Sequence, residues 1–203
     1  GRGEGSWRAA ASQAMKILRF AALVVCLALV ACSRSEGPVI VDCQGVEHAP
    51  LNVTGDAVHV IVFISHECPI ANGYAPTLRK LQAKWSGDRR TSLFLVHVDP
   101  DFTAAAAIAH ANDYDLPGTI LMDPRQVLAR ACSATITPEA IVVSAKGIGY
   151  RGRIDDQWRK LGSRAPEASQ HDLLDAVANV LQGDEVAQPF PKAIGCLLPE
   201  PHD

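Results

Sequence analysis

The feature that most constrains this chain is an apolar, β-branched segment that ends just before a cysteine and a proline. Residues 57–64 (AVHVIVFI) are almost continuously apolar, and the sequence SHECP that follows places Cys68 directly before Pro69. Such a segment is typical of a central strand that is buried on both faces of a sheet. Residues 69–85 then carry apolar side chains at helical spacing, which predicts a helix that begins at Pro69. The sequence therefore predicts a strand–cysteine–helix unit.

The rest of the chain alternates between predicted strands and predicted helices. Strands are expected over residues 39–42, 91–98, 119–122, 140–144 and 149–154, and helices over residues 102–114, 124–132 and 172–181. Asp101 is the expected N-cap of the helix over residues 102–114. His97 is expected to be a core strand residue, and His110 a helix-surface residue. This order predicts an α/β fold with a mixed sheet flanked by helices.

The length and the net charge of the chain indicate a single domain and argue against one class of partner. The chain has 203 residues, of which 48% are apolar and 20% are charged, so it can bury the core of a single domain. Its formal net charge of −3 argues against a nucleic-acid partner, because such proteins usually carry a basic stripe.

The N-terminal residues indicate export. Residues 1–14 precede Met15 and are interpreted as an over-extended start, and residues 15–31 have the basic start and apolar segment of a signal peptide. Its twelve apolar residues, 20–31, reach about 18 Å as a helix, too short for a hydrocarbon core of about 30 Å. The sequence LVAC is similar to a bacterial lipoprotein signal, which predicts lipidation of Cys32; an ordinary cleavable signal is the alternative.

The remaining organisation follows from these boundaries. Residues 32–38 form a tether, residues 39–182 the folded domain, and residues 183–203 an extended C-terminal tail. The predicted location is the periplasmic side of the cell envelope, with membrane attachment through the N-terminal lipid. Because this compartment is oxidising, thiol chemistry or disulfides are plausible for the four cysteines of the folded part. These cysteines are Cys43, Cys68, Cys132 and Cys196.

Cys68 is the strongest candidate for chemistry. Unpaired N–H groups and the helix dipole at the start of a helix stabilise a thiolate, which makes the sulfur nucleophilic at neutral pH. The alternative is a small buried hydrophobic residue, the commonest state of a free cysteine. The position between a strand and a helix favours a reactive thiolate.

Three segments resemble redoxin-domain proteins of the thioredoxin-like superfamily, near the alkyl hydroperoxide reductase/thiol-specific antioxidant group. They are VHVIVFI, SHECPIANGYAPTLRKL and TPEAIVVSAKGIGYRGRIDD, and the resemblance extends over residues 39–196. It implies a thioredoxin-like fold in which Thr137 and Pro138 form a cis-proline loop that faces Cys68. A cis bond is found in only about 5–6% of X–Pro bonds, so this is a specific expectation.

Departures from the patterns of this superfamily decide the mechanism that is expected. Ala71 replaces the second cysteine of Cys-x-x-Cys, and Asn72 that of the Cys-x-x-x-Cys of copper chaperones. Ser65 matches the hydroxyl of the peroxiredoxin motif, but Ile61 occupies its proline position. The predicted function is a thiol–disulfide oxidoreductase that uses Cys68. A peroxiredoxin-like peroxidase and a non-catalytic thiol- or metal-binding module are the alternatives.

The expected partners are a thiol or disulfide protein, or a small-molecule oxidant such as peroxide. No cofactor and no bound metal are expected, and His66 and Glu67 are interpreted as solvated loop side chains.

Cys196 is the expected resolving cysteine. The residues around it, Ile194, Leu197 and Leu198, are apolar and give the tail a reason to dock on the domain. Cys132 is the alternative, because it precedes Thr137 and Pro138 and is expected on the same side of the sheet. Cys43 is free or paired with Cys132, and all three complete pairings of the four cysteines remain open.

Four polar residues complete the candidate site. Ser65 and Asn72 are expected to hydrogen-bond near Cys68. Arg151 and Arg153 alternate along a predicted strand and share one face. One of these arginines stabilises a thiolate or sulfenate, or else both pair with nearby acidic residues such as Asp155 and Asp156.

Overall fold

A mixed seven-stranded sheet positions the segment that carries Cys68. The computed structural model describes residues 37–201, so the predicted signal peptide and Cys32 lie outside the described residues. The strands are β1 (Ile40–Asp42), β2 (Glu47–His48), β3 (Val58–Ile64), β4 (Thr91–His97), β5 (Thr119–Met122), β6 (Ile136–Thr137), β7 (Glu139–Ser144), β8 (Gly147–Gly152), β9 (Trp158–Lys160), β10 (Ser163–Arg164) and β11 (Cys196–Leu197). The helices are α1 (Pro69–Gly73), α2 (Ala75–Trp85), α3 (Ala104–Tyr114), α4 (Val127–Ala131) and α5 (Asp172–Gln182).

The strand order of the main sheet is β2-β1-β5-β4-β3-β7-β8. Strands β3, β4 and β5 are parallel, whereas β7 pairs antiparallel with β3 and β8 antiparallel with β7. This arrangement confirms the predicted mixed sheet with flanking helices. Because β3 and β4 are parallel neighbours, the loops after their carboxyl ends lie side by side.

Each face of β3 packs into its own core, as expected for a buried central strand. Val60, Val62 and Ile64 face one cluster, which includes side chains of α2 and α5 such as Leu78 and Leu173. Ile61 and Phe63 face the other cluster, which includes Leu128 of α4. The alternation follows from the two-residue period of a strand.

The helix predicted over residues 69–85 is divided in two at Tyr74. Pro76 has no N–H, so a continuous helix would leave the carbonyl four residues earlier unbonded. The Tyr74 N–H instead donates to the Ala71 carbonyl, and Pro76 lies in the first turn of α2. The result is a five-residue α1 that directly follows Cys68.

Two other helix starts differ from the predictions. Helix α3 begins after Thr103, whose side chain accepts a hydrogen bond from the Ala106 N–H, and Asp101 is not its N-cap. Helix α4 begins at Val127 rather than at Pro124, because the Asp123 carboxylate accepts hydrogen bonds from the first N–H groups of the helix. In both places a side-chain acceptor decides where the helix starts.

The C-terminal tail docks on the domain, as predicted. Its first contacts run along β8, where the Arg151 N–H donates to the Pro189 carbonyl and the Arg153 N–H donates to the Pro191 carbonyl. Further on, β11 pairs antiparallel with β6, with Cys196 opposite Thr137. The tail thereby reaches the loop beside Cys68.

Candidate active site

Cys68 lies at the junction between β3 and α1. It is the N-cap residue of α1, and Pro69 occupies the first turn. The Cys68 Sγ accepts a hydrogen bond from the Ala71 N–H at 3.5 Å, which is the bond that an N-cap side chain normally makes. The predicted strand–cysteine–helix unit is therefore present, and one backbone N–H of α1, that of Ala71, is directed at the sulfur.

The Thr137–Pro138 peptide bond is cis, which confirms the expectation for this loop. The Cys68 thiol donates to the Thr137 carbonyl oxygen at 3.0 Å. The Thr137 hydroxyl is fully buried and has no hydrogen-bond partner within residues 37–201. A sulfur that loses its proton would offer this hydroxyl an acceptor, so the site holds a spare donor for a thiolate.

The tail closes the site over Cys68. Gly195 lies so near Thr137 that a Cβ atom there would be 2.0 Å from the Thr137 carbonyl oxygen. A glycine is required at this position because the two backbones approach so closely. Cys196 follows and packs against the core cluster that contains Cys68. Cys68 is consequently only 1% exposed.

The thiol pKa of Cys68 is shifted in the opposite direction to those of the other three cysteines. Burial acts to raise the pKa of Cys68, but nearby groups that can donate to its thiolate, namely the Cys196 thiol, the Ala71 N–H and the Thr137 hydroxyl, outweigh it and lower this pKa below its ordinary value. Burial raises the pKa of Cys43, and burial together with the Cys68 contact raises the pKa of Cys196. Burial and the carboxylates of Asp123 and Glu139 raise the pKa of Cys132 to about 12. Among the four, only Cys68 is shifted toward the thiolate.

Cys132 lies on the wrong face of the sheet to meet Cys68. It belongs to the core cluster that Ile61 and Phe63 face, whereas Cys68 belongs to the opposite cluster. The expectation that Cys132 shares the side of Cys68 is therefore wrong. The reason is that α4 covers the face of β3 opposite to α2, which the linear order of the elements does not reveal.

The two arginines are held by other partners. Arg151 donates to the Ser133 carbonyl at 3.2 Å and lies 3.9 Å from Glu139. Arg153 binds both carboxylate oxygens of Asp172, at 2.8 and 3.1 Å. The structure does not bring either guanidinium into a hydrogen bond with Cys68 in the part of the chain that it describes. Both arginines therefore pair with acidic residues, as the alternative expected, although the partners are Glu139 and Asp172 and not Asp155 or Asp156.

Ser65 and Asn72 hold the loop that carries Cys68 instead of contacting the sulfur. The Ser65 hydroxyl donates to Asp99 Oδ1 at 2.5 Å. The Asn72 side chain donates to the His66 carbonyl at 2.9 Å, and the Asn72 N–H donates to the Cys68 carbonyl at 3.0 Å. Both residues therefore lie near Cys68, and their hydrogen bonds are to Asp99 and to the loop backbone.

Sequence reasoning missed three polar residues behind this loop: Asp99, His97 and His110. Asp99 follows the parallel neighbour of β3, so its place beside the Cys68 loop was accessible from the order of the strands. His110 is only 8% exposed and faces His97 at 3.3 Å, so its assignment to the helix surface is wrong. His97 is fully buried in the core, as expected. His66 stacks on Phe102 and is only partly solvated.

Comparisons with known proteins support the fold. No family model and no curated protein matches the chain. An uncharacterised conserved protein from Geobacillus kaustophilus is similar in structure, with a TM-score of 0.65 and 22% identity over 83% of this chain and 93% of that one.

Two further structures link the fold to named proteins. A thioredoxin-like protein from Aeropyrum pernix has a TM-score of 0.51 and 14% identity over 87% of this chain and 98% of that one. A secreted Mycobacterium tuberculosis disulfide oxidoreductase, homologous to E. coli DsbE, has a TM-score of 0.51 and 17% identity over 75% of this chain and 99% of that one.

This chain has a thioredoxin-like fold. The resemblance stated from the sequence is thereby confirmed at the level of the fold.

None of the helices within residues 37–201 is long and apolar enough to cross a membrane. The same residues contain no group of three or more His, Cys, Asp or Glu side chains arranged to hold a metal ion.

Proposed function

We propose that this protein is a thiol–disulfide oxidoreductase in which Cys68 is the attacking thiolate and Cys196 the resolving thiol. One observation carries the proposal: β11 pairs with β6 so that Cys196 lies opposite Thr137, whose carbonyl oxygen accepts from the Cys68 thiol at 3.0 Å. The lowered pKa of Cys68 and the raised pKa of Cys196 assign the two roles, because the thiol that ionises first attacks first.

The reaction proceeds by two exchanges of a disulfide bond. The Cys68 thiolate attacks one sulfur of a substrate disulfide, the S–S bond breaks, and the other substrate sulfur leaves as a thiolate. Cys196 gives its proton to this leaving group and attacks the Cys68 sulfur. The second substrate thiolate is released, and a Cys68–Cys196 disulfide forms. The substrate has gained two electrons, and an external dithiol returns them to the protein.

The docked tail also controls access to the site. Because Cys68 is almost completely buried beneath the tail, an external disulfide reaches it only after β11 leaves β6. The β11 pairing is only two residues long and Leu197 is 80% exposed, but Ile194 and Leu198 on either side pack against the domain, so opening has to break these contacts as well. Cys68 would thus attack the substrate while the tail is open, and Cys196 would resolve the mixed disulfide once the tail has closed.

Residues Pro138 and Thr137 would shape the surface that faces the substrate, and Ser65 and Asn72 would hold the loop. The Ser65 hydroxyl is committed to Asp99, and this contact does not favour the peroxidase alternative, in which that hydroxyl acts at the reacting sulfur.

The proposed location is extracytoplasmic, in agreement with the secreted disulfide oxidoreductase that shares the fold. In this proposal residues 15–31 direct export, lipidation of Cys32 anchors the protein, and residues 39–182 form the redox domain. Fractionation of cells that express the chain from Met15, with and without Cys32→Ser, tests the anchor.

Peptide mapping tests the redox pair directly. Mild oxidation of the purified protein should yield an intramolecular Cys68–Cys196 disulfide under non-reducing conditions. Cys196→Ser should trap Cys68 as a sulfenate or as an intermolecular dimer and abolish turnover with a dithiol reductant. Cys43→Ser is the matched control and should leave turnover unchanged. A Cys68–Cys132 disulfide, or full turnover in Cys196→Ser, would refute the assignment of Cys196.

A further inference from the structure

A closed ring of hydrogen-bonding side chains lies behind the loop that carries Cys68. Asp99 Oδ2 accepts from the His66 N–H at 3.2 Å and lies 3.3 Å from His97 Nδ1. His97 Nε2 lies 3.3 Å from His110 Nδ1, and His110 Nε2 lies 2.9 Å from Asn72 Oδ1. The Asn72 amide then donates to the His66 carbonyl, which closes the ring. We call these five residues the polar ring.

The direction of each side-chain hydrogen bond in the polar ring can be derived from two groups that can only accept, the His66 carbonyl and the Asp99 carboxylate. The His66 carbonyl can only accept, so the Asn72 nitrogen must face it and the Asn72 oxygen must face His110. His110 Nε2 therefore carries a hydrogen. At the other end a carboxylate can only accept, so His97 Nδ1 carries a hydrogen as well.

The contact between the two histidines then requires one more proton. With both outer nitrogens protonated, two neutral rings would turn bare lone pairs toward each other across 3.3 Å. One additional proton converts this contact into a hydrogen bond, and the pair then carries a single positive charge. The charge of the pair balances that of the Asp99 carboxylate beside it.

The surroundings place this proton on His97. Burial acts to raise the pKa of Asp99, but hydrogen bonds from His97, Ser65 and His66 lower it to about 2, so the carboxyl group is ionised. Burial lowers the pKa of His110 to about 4, so this ring is neutral. His97 Nδ1 faces the Asp99 carboxylate at 3.3 Å, whereas His110 Nε2 faces only the neutral Asn72 amide, so the geometry favours His97 as the site of the extra proton.

We propose that His97 carries the extra proton and that the His97–His110 pair positions the Cys68 loop by joining Asp99 to Asn72. The positioning role rests on the proposed function of Cys68, whereas the proton assignment stands on the geometry of the polar ring. Asp99 and Asn72 each hydrogen-bond with the backbone of His66, which lies two residues before Cys68. The Asn72 N–H also donates to the Cys68 carbonyl. Loss of the His97–His110 contact would break the chain of hydrogen bonds that joins Asp99 to Asn72 of α1 through His110 of α3.

Other titratable groups face the pair from each neighbouring element. They are His66 after β3, with Nδ1 at 3.3 Å from Asp99 Oδ1, Asp113 and Tyr114 on α3, and Asp123 after β5. The Asp123 carboxylate accepts from the N–H groups of α4, so it is already engaged. Asp99 is therefore the carboxylate that hydrogen-bonds with the pair within the described residues.

Nuclear magnetic resonance tests the proton assignment without reference to activity. In the full chain with nitrogen-15-labelled histidine, both ring nitrogens of His97 should be protonated at neutral pH, and His110 should carry hydrogen only on Nε2. His59, whose Nδ1 lies 2.9 Å from the Pro50 carbonyl and outside the polar ring, supplies the reference signals of a histidine that does not belong to the ring. A bare ring nitrogen on His97 at neutral pH would overturn the assignment.

Two substitutions at His110 test the positioning role. His110→Gln can still donate to Asn72 and accept from His97, whereas His110→Leu cannot. We expect His110→Leu to move the pH profile of Cys68 alkylation upward by about one pH unit, a roughly tenfold loss of rate at neutral pH. His110→Gln should restore the wild-type profile, and His59→Gln should leave it unchanged.

The outcomes distinguish this inference from the proposed function. If His110→Leu lowers stability but leaves the pH profile of Cys68 unchanged, the pair is merely structural and the positioning role is wrong. If the profile shifts while no Cys68–Cys196 disulfide forms, the positioning role holds and the proposed resolving thiol fails.

Discussion

Cys68 and Cys132 are almost equally buried, at 1% and 2% exposure, yet their thiols are shifted in opposite directions. Cys132 lies near the carboxylates of Asp123 and Glu139, and burial together with these charges raises its pKa to about 12. Cys68 lies at the start of α1, where the Cys196 thiol, the Ala71 N–H and the Thr137 hydroxyl can donate to its thiolate and lower its pKa against the effect of burial.

The difference shows that burial alone does not make a thiol inert. Burial removes water from both sulfurs, so the remaining protein groups decide which protonation state is favoured. A carboxylate near Cys132 penalises the thiolate, and donors around Cys68 replace the water that a thiolate would otherwise need. This difference between the two thiols can be tested by unfolding at high pH, by undocking the tail and by removing a hydroxyl group beside Cys68.

The largest effect is expected on stability at high pH. Because the folded pKa of Cys132, about 12, exceeds its ordinary value of 9.0, its contribution to stability is fully present below about pH 9 and is lost as pH rises through 12. Wild type should therefore lose up to about 4 kcal/mol relative to Cys132→Ala over this range. Urea unfolding at a series of pH values measures this loss.

The matched variant for this measurement is Cys43→Ala, because Cys43 is only partly buried and should show a much smaller pH-dependent difference. Unfolding free energies of wild type and Cys132→Ala that stay parallel up to pH values near 12 would contradict the raised pKa of Cys132.

A smaller effect is expected from Gly195→Ala. The added Cβ would lie 2.0 Å from the Thr137 carbonyl oxygen, so β11 cannot remain docked on β6. Alkylation of Cys68 by iodoacetamide should accelerate by about tenfold, equivalent to about 1.4 kcal/mol of lost docking. Cys132 should react no faster, since the tail does not cover it. Peptide-resolved mass spectrometry follows the two cysteines separately.

Gly87→Ala is the control for that substitution, because nothing lies within 4 Å of the Cβ that it would add. Equal alkylation rates for Gly195→Ala and Gly87→Ala would mean that the tail does not control access to Cys68.

The smallest effect is expected from Thr137→Val, which removes a buried hydroxyl that has no hydrogen-bond partner in residues 37–201. Stability should hardly change, because no neutral hydrogen bond is lost. The pKa of Cys68 should rise by about half a unit, slowing alkylation about threefold at neutral pH. Ultraviolet titration of the thiolate measures the change.

Thr91→Val provides the comparison, since the Thr91 hydroxyl is also buried without a partner in the described part of the chain but lies at the start of β4. A shift of the same size in both variants would show that Thr137 has no specific effect on the thiolate.

Local sequence patterns were sufficient to predict the unit that carries the chemistry. A continuous apolar strand, Cys68 and Pro69 are neighbours in sequence, so their order alone places the thiol at a helix start. The apolar residues around Cys196 similarly predicted that the tail docks. Each of these inferences depends on backbone preference or on burial of apolar side chains, and both act over short stretches of sequence.

Tertiary structure decided which side chains surround the thiol. His97 ends β4, Asp99 lies in the loop after it, and His110 lies on α3. Only the parallel pairing of β3 with β4 brings these residues behind the Cys68 loop. The face of the sheet that Cys132 occupies depends on where α4 packs. Hydrogen bonds are short-ranged and directional, so polar partners distant in sequence are specified only once the packing is complete.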